Sequence, residues 1–179
     1  AVNDGRMPFA EPGYDELVAS KQLMVTGDAS VVSRSDAIVI TVGTPLHTHI
    51  ETDLDQIRRV LDGVGSHLRP GHLVCLRSTV APGTTDYVRR WLDRHTSLTV
   101  GDTLSLAFCP ERIAEGKAYE ELRTLPQIVG SEDPVSGERA DALFRHLAPE
   151  VLHTDFVSAE LVKIVVTGYR VIGRPLGGQ

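Results

Sequence analysis

Three short segments concentrate the residue types that handle phosphate, ribose and protons: Val42-Gly43-Thr44-Pro45, Ser78-Thr79-Val80-Ala81-Pro82-Gly83-Thr84-Thr85 and Cys109-Pro110-Glu111-Arg112-Ile113-Ala114-Glu115-Gly116. Each follows a run of apolar, strand-forming residues. A glycine such as Gly43 or Gly83 lets a ligand approach the backbone closely, because no Cβ intervenes. Threonine hydroxyls donate to phosphate or ribose oxygens. Each segment alone also has an ordinary reading. Gly-Thr-Pro makes a plain turn, Pro-Gly-Thr-Thr starts a helix with a threonine cap, and Glu111 suits a solvated loop. Their recurrence after successive strands favours a ligand site, since open α/β sheets bind ligands beyond the carboxyl ends of their strands.

The elements that must position these segments are readable from periodicity. Ala37 to Val42 is β-branched and almost wholly apolar, the pattern of a strand covered on both faces. Residues 53–68 follow as an amphipathic helix with Leu54, Ile57, Val60, Leu61 and Val64 on one stripe. His72 to Leu76 is a second buried strand and Thr84 to Arg94 a second helix, with Trp91 and Val88 on its core face. Leu104 to Phe108 gives a third strand, Gly116 to Leu122 a helix, Gln127 to Val129 a fourth strand, Ser136 to Leu147 a helix and Val151-Leu152 a fifth strand. Ser158 opens another helix. Upstream, residues 1–12 are turn-rich, Tyr14 to Lys21 has helical spacing, Leu23 to Thr26 suits a short strand, and Asp28 caps one or two helical turns ending at Ser35. Strands alternating with helices over short loops predict βαβ units and a parallel sheet.

Bulk properties narrow the function. With 41% apolar and 23% charged residues the chain is globular rather than low-complexity. A formal net charge of −6 and scattered Lys and Arg argue against nucleic acid as a partner. The apolar runs are strand-sized, far short of a membrane span, and no segment has the pattern of a signal peptide. Cys75 and Cys109 sit in or beside apolar runs, as reduced core thiols of a cytoplasmic protein do. His47 and His49 have no partnering ligand nearby and read as a polar loop rather than a metal site. Ala1 stands without a preceding Met, which reads as a start inside a longer chain.

In combination these segments resemble the UDP-glucose/GDP-mannose dehydrogenase family. Ser78 to Thr85 is similar to that family's Ser-Thr-Val-Pro-Pro-Gly-Thr-Thr run, and Pro110-Glu111-Arg112-Ile113-Ala114-Glu115-Gly116-Lys117-Ala118 to its Pro-Glu loop. Val42 to Pro45 matches its Thr-Pro turn, Asn3 to Gly13 its Asn-x-Gly…Pro…Glu-Pro-Gly stretch, and Ala159-Glu160-Leu161-Val162-Lys163 the start of its long central helix. The resemblance implies an α/β fold with a Rossmann-like parallel sheet that misses its first βαβ unit. Residues 1–155 are then the remainder of an NAD-binding domain and residues 156–179 the start of a central dimerisation helix, with a UDP-binding C-terminal domain absent. It further implies oxidation of the C6 alcohol of a UDP-sugar to a carboxylate, with two NAD and a covalent cysteine thiohemiacetal, in a homodimeric full-length protein. Thr44, Pro45, Ser78, Thr79 and Glu115 match cofactor-contacting positions. Thr79 also matches a residue that orders the catalytic water, Glu111 a general base, and Lys163 the lysine that holds the oxyanion. Glu111, Arg112, Ile113 and Lys163 match the substrate side. The Glu111-Arg112 pair, where glucose-type members carry Glu-Phe, leans towards the N-acetylhexosamine branch.

The chain also departs from that family. No Gly-x-Gly-x-x-Gly turn occurs in it. The family's catalytic cysteine lies beyond the central helix, and Cys109, set before Pro110 at a strand end, is not that residue. Where the family carries Asn four residues after the helix lysine, Thr167 stands. From Val166 onward, Gly168, Gly173-Arg174-Pro175 and Gly177-Gly178 are expected to break the helix, as a truncated or altered reading frame would. A fragment inactive by itself is the leading expectation. A related β-hydroxyacid-type dehydrogenase and a non-catalytic binding remnant are the alternatives.

Overall fold

The structure, a computed structural model, describes residues 1–8, 14–20, 22–42, 54–113 and 116–173. Its elements in chain order are α1 (Asp15–Ala19), β1 (Ala37–Ile40), α2 (Asp55–Val64), β2 (Leu73–Leu76), α3 (Thr84–His95), β3 (Ser105–Phe108), α4 (Ala118–Thr124), β4 (Gln127–Gly130), α5 (Pro134–Phe144), β5 (Val151–Thr154) and α6 (Phe156–Gly173). Short 3₁₀ helices precede β1 (Ala29–Arg34) and follow α2 (Gly65–His67), the first capped by the Asp28 carboxylate accepting from the Ser30 N–H at 2.9 Å. The five strands form one sheet in the order β1-β2-β3-β4-β5.

Side-chain alternation along the strands divides the core into two layers. Ile40, Val74, Leu76, Leu104, Leu106, Phe108 and Ile128 face α2, α3 and α6. Leu73, Cys75, Ala107, Cys109 and Val129 face Ala140 and Phe144 of α5. β2 and β3 are buried throughout, as continuous apolar runs at the centre of a sheet should be. The two thiols lie 4.0 Å apart and are free and buried. Contact with Cys75, then burial, pushes the Cys109 thiol well above its ordinary pKa, which leaves it a protonated core residue rather than a nucleophile.

Four expectations are corrected. The sheet is not parallel throughout: β1-β2-β3 and β4-β5 are parallel sets, joined by an antiparallel pairing at Phe108 and Gly130. The connection between β3 and β4 carries the seven-residue α4, and β4 meets β3 only where Gly130 pairs with Phe108 at the end of that strand. β1 is not covered on both faces, for Val39 remains 42% exposed on a strand that, among the described residues, borders β2 alone. Leu23 to Thr26 forms no strand; it is exposed and tied by Asn3, whose side chain exchanges two hydrogen bonds of 2.7 and 2.8 Å with the Val25 backbone. Finally, α6 does not break at Gly168 but continues to Gly173. One glycine costs a helix about 1 kcal/mol relative to alanine, too little to stop it. Residues 174–179 lie outside the described residues.

The reversal at β4 decides where α6 goes. β5 runs against β1-β3, so the helix that turns back after it heads towards the carboxyl ends of those strands. Gly130 permits the turn: a Cβ there would stand 2.6 Å from the Ala159 Cβ and 2.8 Å from the Asp155 carbonyl oxygen.

Candidate functional site

β2 and β3 end in register at Leu76 and Phe108, and the polar segments continue side by side from there. Ser78 is buried just past the end of β2, and Thr79, its neighbour, is exposed. Among the described residues the Ser78 hydroxyl oxygen is buried with no hydrogen-bond partner, one of two such side-chain atoms together with Nε2 of His72 at the far end of β2. An orphaned hydroxyl at a strand end is the kind of group that a bound ligand satisfies.

The helix start that follows is built differently from the expected threonine cap. Gly83, at φ 89°, is the residue before α3, and the Thr84 hydroxyl donates backwards to the Ala81 carbonyl at 2.7 Å. The cap comes from α6. Glu160, fully buried, accepts from the Gly83 N–H at 2.6 Å, from the Thr85 N–H at 2.7 Å and from the Thr85 hydroxyl at 2.6 Å. A carboxylate at a helix N-terminus satisfies orphan donors and the local dipole together. It also occupies the place an anionic ligand group would take, so phosphate is excluded from this helix end.

The loop after β3 is anchored from α6 and from the residue before β4, and braced within itself. Lys163 Nζ donates to the Glu111 carbonyl oxygen, the Glu111 carboxylate accepts from the Ile113 N–H, and the Arg112 guanidinium donates to the Pro126 carbonyl oxygen. Because β4 runs antiparallel and extends past the end of β3, Gln127 forms a wall beside Pro110. Arg77, on the same wall, donates to the Cys109 carbonyl and to the Gln127 side-chain oxygen, each at 3.0 Å, and lies over the Phe144 ring at 5.0 Å. Burial lowers the pKa of this guanidinium, which stays charged at any physiological pH.

The structure therefore brings Ser78, Thr79, Glu111 and Lys163 to one edge of the sheet. Arg112 is engaged by the start of β4 and Ile113 by the Glu111 carboxylate. Thr44, Pro45 and Glu115, and with them His47 and His49, lie outside the described residues. Reading the sequence alone overlooked Glu160, Arg77 and Gln127. For Glu160 a signal existed: it shares a helix face with Phe156 and Lys163, at spacings of four and three.

An α/β layer whose strand ends carry hydroxyls and a carboxylate, with a lysine-bearing helix returning over them, is a nucleotide-cofactor domain. The chain belongs to the UDP-glucose/GDP-mannose dehydrogenase family, residues 1–148 matching its NAD-binding domain. It is 28% identical to the UDP-N-acetyl-D-mannosamine dehydrogenase of Pyrococcus horikoshii over 99% of this chain and 44% of that protein. A solved structure of the UDP-D-ManNAc dehydrogenase from Pyrococcus horikoshii superposes with a TM-score of 0.88 at 29% identity, covering 94% of this chain and 41% of the other. A ternary complex of GDP-mannose dehydrogenase from Pseudomonas aeruginosa gives 0.88 at 27% identity over 96% and 42%. The chain thus spans less than half the length of these relatives, and the match to the family's NAD-binding domain covers its residues 1–148. The orphaned Ser78 hydroxyl fits contact with NAD at the end of β2, whereas no glycine-rich turn for the pyrophosphate occurs in the sequence. Among the described residues no helix is long and apolar enough to cross a membrane.

Proposed function

We propose that the intact protein carrying this chain is a cytoplasmic NAD-dependent UDP-sugar 6-dehydrogenase that oxidises the C6 alcohol to a carboxylate, and that this chain alone is inactive. On this reading residues 1–155 belong to the cofactor domain and α6 opens the central helix. The observation that carries the reading is the placement of Lys163 against the Glu111 loop, beside the end of β2 where Thr79 stands. An ammonium there stabilises the alkoxide that develops as C6–OH loses its proton. A carboxylate on the adjoining loop takes a proton from the water that completes the carboxylate product, and the Thr79 hydroxyl orients that water. Thr44, Pro45, Ser78, Thr79 and Glu115 contact the cofactor; Glu111, Arg112, Ile113 and Lys163 serve the sugar side. Bound NAD supplies the hydride acceptor. The Glu111-Arg112 pair favours an N-acetylhexosamine.

Self-association through α6 belongs to the same proposal. Val157, Leu161, Ile164, Val165 and Tyr169 form an exposed, mostly apolar stripe along the helix, the pattern of a partner-facing surface.

The test is NADH formation by the intact protein with UDP-N-acetylmannosamine, UDP-N-acetylglucosamine, UDP-glucose and GDP-mannose. Two NADH per molecule of one UDP-sugar, lost in Lys163→Ala, is the expected result. Turnover of GDP-mannose alone would move the substrate class, and no turnover with any of them would sink the proposal.

A further inference from the structure

Glu160 is a fully buried carboxylate to which the proposed chemistry gives no task. Its contacts bridge 75 to 77 residues of sequence, from the first turns of α6 to the turn between β2 and α3. It accepts from three donors at 2.6 to 2.7 Å, all on Gly83 and Thr85. One helical turn further on, Lys163 donates to the Glu111 carbonyl on the neighbouring loop. One turn earlier, Phe156 is buried, and Ala159 packs where Gly130 leaves room. Apolar packing at Phe156 and Ala159 holds the helix down without fixing its axial position, because dispersion contacts are non-directional. Three hydrogen bonds to a single carboxylate do fix it, in distance and in angle.

We infer that Glu160 is a positioning residue, setting the height and rotation of α6 so that Lys163 meets the strand-end site. The inference rests on the reading above in that Lys163 is the group positioned. The Glu160 carboxylate is taken up by the Gly83 and Thr85 donors. It couples the loop that carries Thr79 to the helix that carries Lys163, so the two halves of the site move as one body.

The test uses the intact protein with Glu160→Gln, Glu160→Ala and Thr85→Val. The Gln variant keeps shape but presents an amide N–H to one of the backbone donors. The Val variant removes only the hydroxyl donor and guards against a Glu160→Ala protein that fails to fold. Hydrogen exchange at the Gly83 and Thr85 amides reads the cap, and acylation of the Lys163 amine by a small reagent, followed by mass spectrometry, reads lysine position without turnover. Exchange is expected to rise on the order of tenfold in Glu160→Gln as local opening becomes easier. Lys163 acylation should rise about threefold, and kcat should fall on the order of tenfold with KM for NAD nearly unchanged, the signature of a group displaced by a fraction of an ångström. Thr85→Val should show the same directions at smaller amplitude. Amides that stay protected in Glu160→Gln and Glu160→Ala would overturn the cap. Amides released with Lys163 acylation and kcat unchanged would overturn the positioning role. A wild-type protein inactive on every nucleotide sugar would count against the proposed function alone, because the acylation pattern still judges Glu160.

Discussion

The two halves of α6 have opposite surroundings. In the first, Phe156, Ala159 and Glu160 are buried against β4, β3 and the start of α3. In the second, Val165 is 65% and Tyr169 79% exposed, although both are large and apolar or aromatic. One helix is thus bound by its own domain along one face of its first turns, while its other face, from Val157 and Leu161 on to Val165 and Tyr169, is open. The difference teaches that the position of α6 is decided within its first turns, and that the rest of it is carried rather than held.

Mutations that strike the buried half should have the largest effects. Phe156→Ala leaves a cavity under the helix start and is expected to cost about 3–5 kcal/mol of unfolding free energy, read from denaturant titration. If it costs under about 1 kcal/mol, the first turn of α6 is not the anchor. Gly130→Ala forces a methyl against Ala159 and the Asp155 carbonyl, and should cost about 1–3 kcal/mol. In the exposed half, Val165→Glu and Tyr169→Glu should change stability by no more than about 0.5 kcal/mol. They should nevertheless lower the mass of the intact protein measured by light scattering, if α6 joins two copies. An unchanged mass would remove α6 from the self-association proposal.

The smallest effect is in pH dependence at the helix start. Asp155 caps α6: Ser158 donates to it through its N–H at 2.8 Å and its hydroxyl at 2.6 Å. The Ser158 hydroxyl, then its N–H, lowers the Asp155 pKa below the ordinary 3.8. A folded-state value below the unfolded one means that the contribution is complete above the unfolded pKa and fades as pH falls through the folded one. Protection of the first amides of α6 should therefore weaken below about pH 4. In Asp155→Asn, which still caps but does not titrate, that pH dependence should disappear at the Ser158 amide, while the Phe156 amide, which donates to Glu132 at 3.2 Å, keeps its own.

Much of the molecule follows from local pattern. The buried runs at β2 and β3, the stripe of α2 and the cap at Asp28 are consequences of periodicity and short-range hydrogen bonding, which a sequence displays directly. The strand-end segments were found because their chemistry is local too. Strand direction is not local. Gln127 to Val129 reads as a strand in either orientation, and its direction is settled by its pairing with β3 and β5. Glu160 escaped for the same reason: a glutamate on a helix ordinarily faces water, and its three partners lie more than seventy residues away. Gly168 misled in the opposite sense, since a propensity penalty of about 1 kcal/mol loses to continuation of an established helix.

A helix pinned at one end behaves as a screw. Each residue of α6 advances about 1.5 Å and turns about 100°, so Lys163 and Tyr169 keep a constant angular phase while the rod between them is intact. A single-residue insertion between them would swing Tyr169 about a quarter-turn around the axis and leave Lys163 in place. Changes of length should therefore be accepted in this stretch only near whole numbers of turns, whereas the exposed segment around Leu23 to Val25 imposes no such quantisation.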